Sequence, residues 1–363
     1  MRIAFFGHGQ FYQAKVPALG ARVHIEQLLK RMIARGHDLW SSYPPDNVPE
    51  VKSLPCNRLS RIHLLQSMDA LYLRVDFEQT LGWWWLIDPL RKMFPVMIWE
   101  FNCVPDFARY VQESEGTIAR NIADFRRYAK VCDLAICVSE TMADYARNRL
   151  NLKNTTVIPN GSDPQTFRRD LVSNHFFDSS YLNVVFISGS TLHNQNLSLL
   201  TDVARILLAR QSKISLHTIG PFSDGKSFLP NMHLHGSVSY ENLPYWLACM
   251  DVGLCLYPPG PCEFASPLKF FDYFASGLTV ISTPQRQVEE ILKSINQTEM
   301  IVPAADPTAI ANLLIALESD RQKVQRLGQA GRELVVNFYN WDRVTTDTLA
   351  AIEALRSSQE QWS

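Results

Sequence analysis

Cys262-Glu-Phe-Ala-Ser-Pro-Leu-Lys-Phe-Phe-Asp-Tyr-Phe-Ala-Ser-Gly-Leu-Thr-Val-Ile-Ser282 compresses a capped helix and an apolar strand into one short segment. Ser266 is a good N-cap and Pro267 suits a first helical turn. The spacing predicts a helix from Pro267 to about Ser276, stopped by Gly277. The strand Leu278–Ile281 then follows at once. Short apolar runs alternating with amphipathic stretches are the pattern of parallel sheets covered by helices. That pattern extends outward from this segment in both directions.

Around it lie further predicted strands at Val184–Ile187, Ile214–Ile219, His233–His235, Val252–Leu256 and Met300–Val302, separated by helices such as Leu197–Leu208 and Leu243–Met250. Upstream, Ile3–Phe6, Leu71–Leu73, Val96–Trp99, Leu134–Val138 and Val157–Pro159 form a first set, apolar on both faces as central parallel strands are. Between them His24–Arg35 repeats Leu28, Leu29, Met32 and Ile33 on one face and stops at Gly36. Periodicity fades between Gln165 and Asn183, which reads as a linker. A chain of 363 residues is long for one core. The expected fold class is therefore α/β, with two Rossmann-like doubly wound domains facing across a cleft. The first covers residues 1–165 and the second 183–340, and the tail from 341 to 363 is one more helix, not needed to finish the second sheet.

Composition narrows the function. Hydrophobic residues are 46% and charged residues 20%, with a formal net charge of -1, which argues against a nucleic-acid binder. Residues 1–165 hold 20 Lys+Arg against 17 Asp+Glu, a net +3 that is compatible with peripheral contact at an anionic membrane face. A small, dispersed excess of this size also arises by chance. Seven cysteines without a CxxC pair read as reduced thiols of a cytoplasmic protein. The Trp83-Trp84-Trp85 stretch is too short to span a bilayer and reads as core, with an interface anchor as the lesser reading. His233 and His235 alternate on a strand without a third ligand at metal spacing, so no metal is expected.

The N-terminus of the 267–276 helix offers unpaired N–H groups and a positive dipole end, which suits a diphosphate. Lys269 adds a cation there, against the dipole, and so costs stability unless an anion is present. Asp272, three residues on, shares its face and can accept hydrogen bonds from sugar hydroxyls. Local sequence alone slightly favours an ordinary capped helix with a Lys–Asp surface pair.

Resemblance reverses that order. The segment resembles the donor-site signature of glycosyltransferase family 4, in the variant reading Ser-Pro-Leu-Lys, two large apolar residues, an acid and Tyr. Asn231 to Leu254 is similar to that family's preceding strand–helix–strand, and Val157-Ile-Pro-Asn-Gly-Ser-Asp163 to the end of its first domain. Arg35-Gly-His37 resembles the end of its first helix, and Asn340-Trp-Asp342 the start of the final helix, which crosses back onto the N-terminal domain. The resemblance implies a GT-B fold, a retaining and metal-independent sugar transfer, and a nucleotide-sugar, by family frequency a UDP-sugar, as substrate rather than cofactor. The acceptor is a saccharide, a lipid-linked sugar or a small molecule, as in polysaccharide or glycoconjugate synthesis. It places Asp272 on the nucleotide ribose, Ser266, Pro267, Leu268 and Lys269 at the diphosphate or the transferred sugar, and Gly20 where the backbone approaches the donor.

Two departures stand out. The family's acidic pair is usually separated by seven residues, whereas Glu263 and Asp272 enclose eight, and strict spacing puts Phe264 at the first position. After Ser188 the family commonly has Arg and Lys, but here the chain reads Gly189-Ser-Thr-Leu-His-Asn-Gln-Asn196. Hydroxyls, amides, His193 and backbone N–H groups are the expected substitutes, and Gly189 is a further candidate for substrate binding. Glu100 and Asn102 follow a buried strand, at the carboxyl edge where open α/β sheets bind ligands. Glu100 is thus a candidate catalytic carboxylate beside Glu263 and Lys269, and Asn102 a candidate for substrate binding. Gly7 and Gly9 lack the third glycine of a dinucleotide fingerprint, since Tyr12 stands there. A nucleotide-sugar 2-epimerase of the same fold and an inactive donor-binding subunit remain the alternatives.

Overall fold

The computed structural model describes all residues except 8–19, 76–90, 92–93, 112, 172–176, 190–194, 223–228, 259 and 361–363. The tryptophan run at 83–85, most of the loop between Gly7 and Gly20, and His193 therefore lie outside the described residues. The first sheet contains β1 (Arg2–Phe6), β2 (Asp38–Ser41), β3 (Lys52–Ser53), β4 (Ala70–Val75), β5 (Val96–Phe101), β6 (Leu134–Cys137) and β7 (Thr155–Val157). All its pairings are parallel, in the order β3-β2-β1-β4-β5-β6-β7. Period-2 alternation sends Ile3, Phe5, Tyr72, Ile98 and Ile136 to one face, under α1 (Gly20–Ala34). The opposite set, including Leu71, Leu73, Trp99 and Phe101, packs under α3 (Glu115–Tyr128) and α4 (Glu140–Leu150), with α2 (Arg58–Gln66) alongside.

The second sheet orders β8 (Leu182–Ile187), β9 (Ile214–Ile219), β10 (Met232–Leu234), β11 (Val252–Cys255) and β12 (Thr279–Ser282) as β10-β9-β8-β11-β12, again all parallel. Its core takes residues from α5 (Gln195–Ala209), α6 (Leu243–Leu247), α7 (Leu268–Ala275), α8 (Arg286–Ser294), α9 (Pro307–Ser319) and α10 (Arg321–Asn337). The chain then returns. In α11 (Trp341–Glu360), Trp341, Val344, Leu349 and Ile352 are buried against the first sheet's α1 face. Two strands anticipated nothing in the sequence pattern: β2 mixes polar and apolar residues, and β3 has two residues. Conversely, Met300–Val302 is not a strand. It is a 3-10 turn over Thr298–Met300 with one bridge from Ile301 to Ser282, and Pro303 beyond it has no N–H to extend a ladder.

The two places where the chain passes between sheets touch. Ser162 N–H donates to Tyr339 O at 3.0 Å, and Trp341 N–H donates to Ser162 O at 3.1 Å. No helix among the described residues is long and apolar enough to cross a membrane.

Candidate active site

Each sheet reverses strand order once, between β1 and β4 in the first and between β8 and β11 in the second. Ligands of open α/β sheets bind outside the carboxyl ends of strands at such points. A cavity of about 350 Å³ lies there, lined from the first half by Gly20, Arg74, Asn102 and Asn160 and from the second by Ile187–Gly189, Tyr240, Tyr257 and Ala265–Lys269, with Asp272. A smaller recess of about 230 Å³ adjoins it through Asn102, Tyr257 and Ala265 and continues between Phe107, Cys262 and Phe264.

The helix α7 forms as its sequence suggests, with one change at its start. Pro267, not Ser266, is the N-cap residue, and no side chain caps the helix. Ser266 is diverted across the cleft: its Oγ accepts from Asn160 N–H at 3.1 Å, and its carbonyl accepts from Asn160 Nδ2 at 2.7 Å. With Pro267 at the N-cap and no side chain capping the helix, its first turn, Leu268 and Lys269, borders the cavity with its N–H end uncapped. Ser276 ends the helix and Gly277 follows at φ 74°.

Lys269 and Asp272 do not form the surface pair that local sequence allowed. Lys269 Nζ donates to Ile187 O at 2.7 Å and lies over the rings of Phe186 and Tyr257. Burial holds its pKa below the usual lysine value. Asp272 is 3% exposed and accepts from Ser162 Oγ at 2.5 Å. Burial pushes its carboxyl up to about 7, partly offset by hydrogen bonds from Ser162 and Tyr240.

Two proposed acids are not brought into this cavity. Glu263 sits exposed in a 3-10 turn over Pro261–Phe264. The residue at the strict family spacing, Phe264, packs edge-on against Tyr145 of the first half, and its carbonyl accepts from Ser139 Oγ. The extra residue is therefore absorbed by that turn, which aims the aromatic inward and the acid outward. Glu100 is 1% exposed and lies behind the cavity wall. Its carboxylate faces His24 Nε2 at 2.7 Å, accepts from Tyr72 OH at 2.8 Å and from Asn102, and meets Arg74 at 3.4 Å. Burial alone would raise its pKa, but the His24 imidazole, Arg74 and Asn102 outweigh it and hold the carboxyl at about 2. All four partners of this carboxylate are side chains of the first half, and Glu100 is absent from the residues lining the cavity. Gly20, Asn102, Gly189, Ser266, Pro267, Leu268, Lys269 and Asp272 do converge on the cavity.

His24, Arg74 and Asn160 escaped the sequence reading. His24 Nδ1 lies 2.7 Å from Asn160 Oδ1, so Glu100, His24, Asn160 and Ser266 form one continuous buried chain from the first sheet to α7. Arg74 carried the one available signal, a charge inside the otherwise uncharged strand Ala-Leu-Tyr-Leu-Arg-Val.

Residues 182–320, which supply the second sheet and the α7 wall of the cavity, match the family model described as glycosyl transferases group 1. The match takes in the second sheet and less than half of the chain. Over 251 residues the chain is 23% identical to an MMP alpha-(1->4)-mannosyltransferase of Mycolicibacterium hassiacum, a match that takes in 66% of the chain but only 56% of that protein. Its whole fold is similar to sucrose-phosphate synthase from Thermosynechococcus elongatus, with TM-score 0.69 at 17% identity, covering 98% of this chain and 99% of that one. Anabaena HepE in complex with UDP-glucose is similar too, with TM-score 0.67 at 12% identity over 98% and 100% of the two chains. These likenesses show that the chain has a GT-B-like fold, two parallel α/β sheets of seven and five strands.

Proposed function

We propose that this protein transfers a sugar from a nucleotide-sugar, a UDP-sugar, to a saccharide or lipid-linked acceptor, retaining anomeric configuration and needing no metal ion. Residues 183–340 serve as the donor domain, while residues 1–165 with the returning helix serve as the acceptor domain, in the cytoplasm and at the inner membrane face. The observation that carries this reading is the uncapped start of α7, with Lys269 in its first turn, opening on the cavity where both sheets present their strand ends. UDP-glucose in the HepE complex supports the choice of nucleotide.

Sugar transfer passes through an oxocarbenium-like state as negative charge grows on the departing diphosphate. Preorganised N–H groups and the Lys269 ammonium, fixed before reaction, stabilise that charge without a metal. Asp272 holds ribose hydroxyls, and Asn102 and Gly20 line the path of the incoming acceptor. Incubation with a panel of UDP- and GDP-sugars, read by melting temperature and by product analysis, tests the assignment. A ligand that binds only the folded state raises the melting temperature by mass action. Stabilisation by a nucleotide-sugar with slow release of UDP, unaffected by EDTA, is expected. Loss of turnover in EDTA restored by manganese overturns the metal-free mechanism. An epimer formed without acceptor would make the protein an isomerase, and binding with neither turnover nor hydrolysis would make it an inactive donor-binding subunit.

A further inference from the structure

Arg74 is buried at 9% exposure near the carboxyl end of β4, a central strand whose other five residues carry no charge. Burying a guanidinium is costly unless its donors are used. Its register partner on β5 is Glu100, yet the contact is a single one, from Nη1 to Oε1 at 3.4 Å. Glu100 gives its closer positions to His24, Tyr72 and Asn102. An arginine carries five N–H donors in a planar fork. Among the described residues nothing else receives them, and the side chain lines the cavity beside Asn102. Of the described lining residues only Arg74 and Lys269 carry a fixed positive charge, one on each wall.

We propose that Arg74 recognises an anionic group, carboxylate or phosphate, on the acceptor, so that this enzyme glycosylates acidic rather than neutral sugars. The proposal rests on the transferase reading above and extends it to the acceptor. Both anions present two oxygens that a guanidinium fork engages in parallel, and such charge-assisted pairs are about twice as strong as neutral hydrogen bonds. A sugar hydroxyl would use one donor and leave the rest buried and idle. The donor's diphosphate already has Lys269 and the start of α7 on the opposite wall. Glu100 then acts as a positioning residue, holding the fork from behind.

Calorimetric titration of the full chain, saturated with UDP, tests this with glucose, glucose 6-phosphate, glucuronate and inorganic phosphate. Wild type is expected to bind at least one charged sugar and not glucose, and the phosphate and carboxylate arms show which anion fits. Arg74→Gln should weaken that binding by about tenfold or more, the loss of one charged hydrogen-bonding group. Arg74→Lys, which keeps the charge without the fork, should lie between, and UDP affinity should stay within about twofold of wild type in both. Equal binding of charged and neutral sugars, or no binding of any, overturns the proposal. So does a parallel loss of UDP affinity in Arg74→Gln, which would assign the arginine to the donor. If UDP fails to bind wild type, the transferase reading is what falls. Arg74→Lys provides the comparison should the glutamine variant fail to fold.

Discussion

Lys269 and Asp272 stand three residues apart on α7 yet have separate surroundings, one beneath Phe186 and Tyr257, the other against Ser162. Their loss should therefore be felt at different steps. On the proposed mechanism Lys269 faces charge that develops only in the transition state, so Lys269→Ala should lower kcat about 100-fold, as removal of one preorganised donor does. On the same proposal Asp272 holds ribose hydroxyls that do not change in the reaction, so Asp272→Ala should chiefly raise the donor KM. Steady-state kinetics on folded variants checks both, and wild-type behaviour in each would move the donor elsewhere in the cleft. Burial also makes Asp272 a titrating group near neutrality, at about 7 against an ordinary 3.8. The sign for folding is that its protonated form is favoured, so its contribution to stability is full below pH 3.8 and is lost as pH rises through about 7. Donor binding by the proposed ribose contact runs the other way, because hydroxyls donate to the ionised carboxylate. Nucleotide-sugar affinity should fall as pH drops through about 7 in wild type, whereas Asp272→Asn should be flat across that range. A nucleotide-sugar is the proper ligand here, since a terminal phosphate titrates near pH 6 on its own account.

At the scale of the element, α7 is held to the second sheet by the absence of a side chain. A Cβ on Gly253 in β11 would lie 2.4 Å from the Tyr273 ring of that helix. The close approach lets Tyr273 OH accept from Ile187 N–H at 2.9 Å, at the end of β8 and beside the Lys269 contact. Gly253→Ala should thus lift α7 off the sheet. Overpacking of this kind costs about 1–3 kcal/mol, which urea unfolding would read, and the donor KM should rise with it. A variant as stable as wild type would mean that Tyr273 can swing aside. The start of the same helix shows why capping rules misjudged Ser266. The rule counts only local partners, and Asn160, more than a hundred residues earlier in the chain, gave the serine a different one.

Across the whole molecule, the last helix belongs to the first sheet. Ile352 is fully buried among Ile3, Phe5 and Ile98 although it lies close to the other end of the chain. Ile352→Ala should cost about 2–5 kcal/mol, and hydrogen exchange should show the loss in β1 and β5 as well as in α11. Fast exchange confined to α11 alone would mean that the helix is an appendage. Arg31 braces both crossings from α1, reaching Asp163 at 3.2 Å and Asp342 at 3.5 Å. The hydrogen-bonded crossings at Ser162 and Trp341 are thus the place where a closing motion would pivot.

Apolar periodicity in the strands and Gly277 as a helix stop were sufficient to read two doubly wound sheets and the helix α7, because each depends on neighbours a few residues away. That helix was singled out as a site only by the family resemblance of its Ser-Pro-Leu-Lys run and acid. β2 and β3 were not legible, since four mixed residues and two exposed ones carry no period of their own and are ordered by pairing with β1. The placement of the acids was decided only in three dimensions. Glu100 and Glu263 are both candidate carboxylates in the sequence, but one is enclosed by four side chains and the other is exposed and absent from the cavity lining. Arg74 became a site residue for the same reason. A charge in a buried strand shows only that something must satisfy it, and which of its donors remain free depends on side chains that the fold brings from β4, β5 and α1 to a single point.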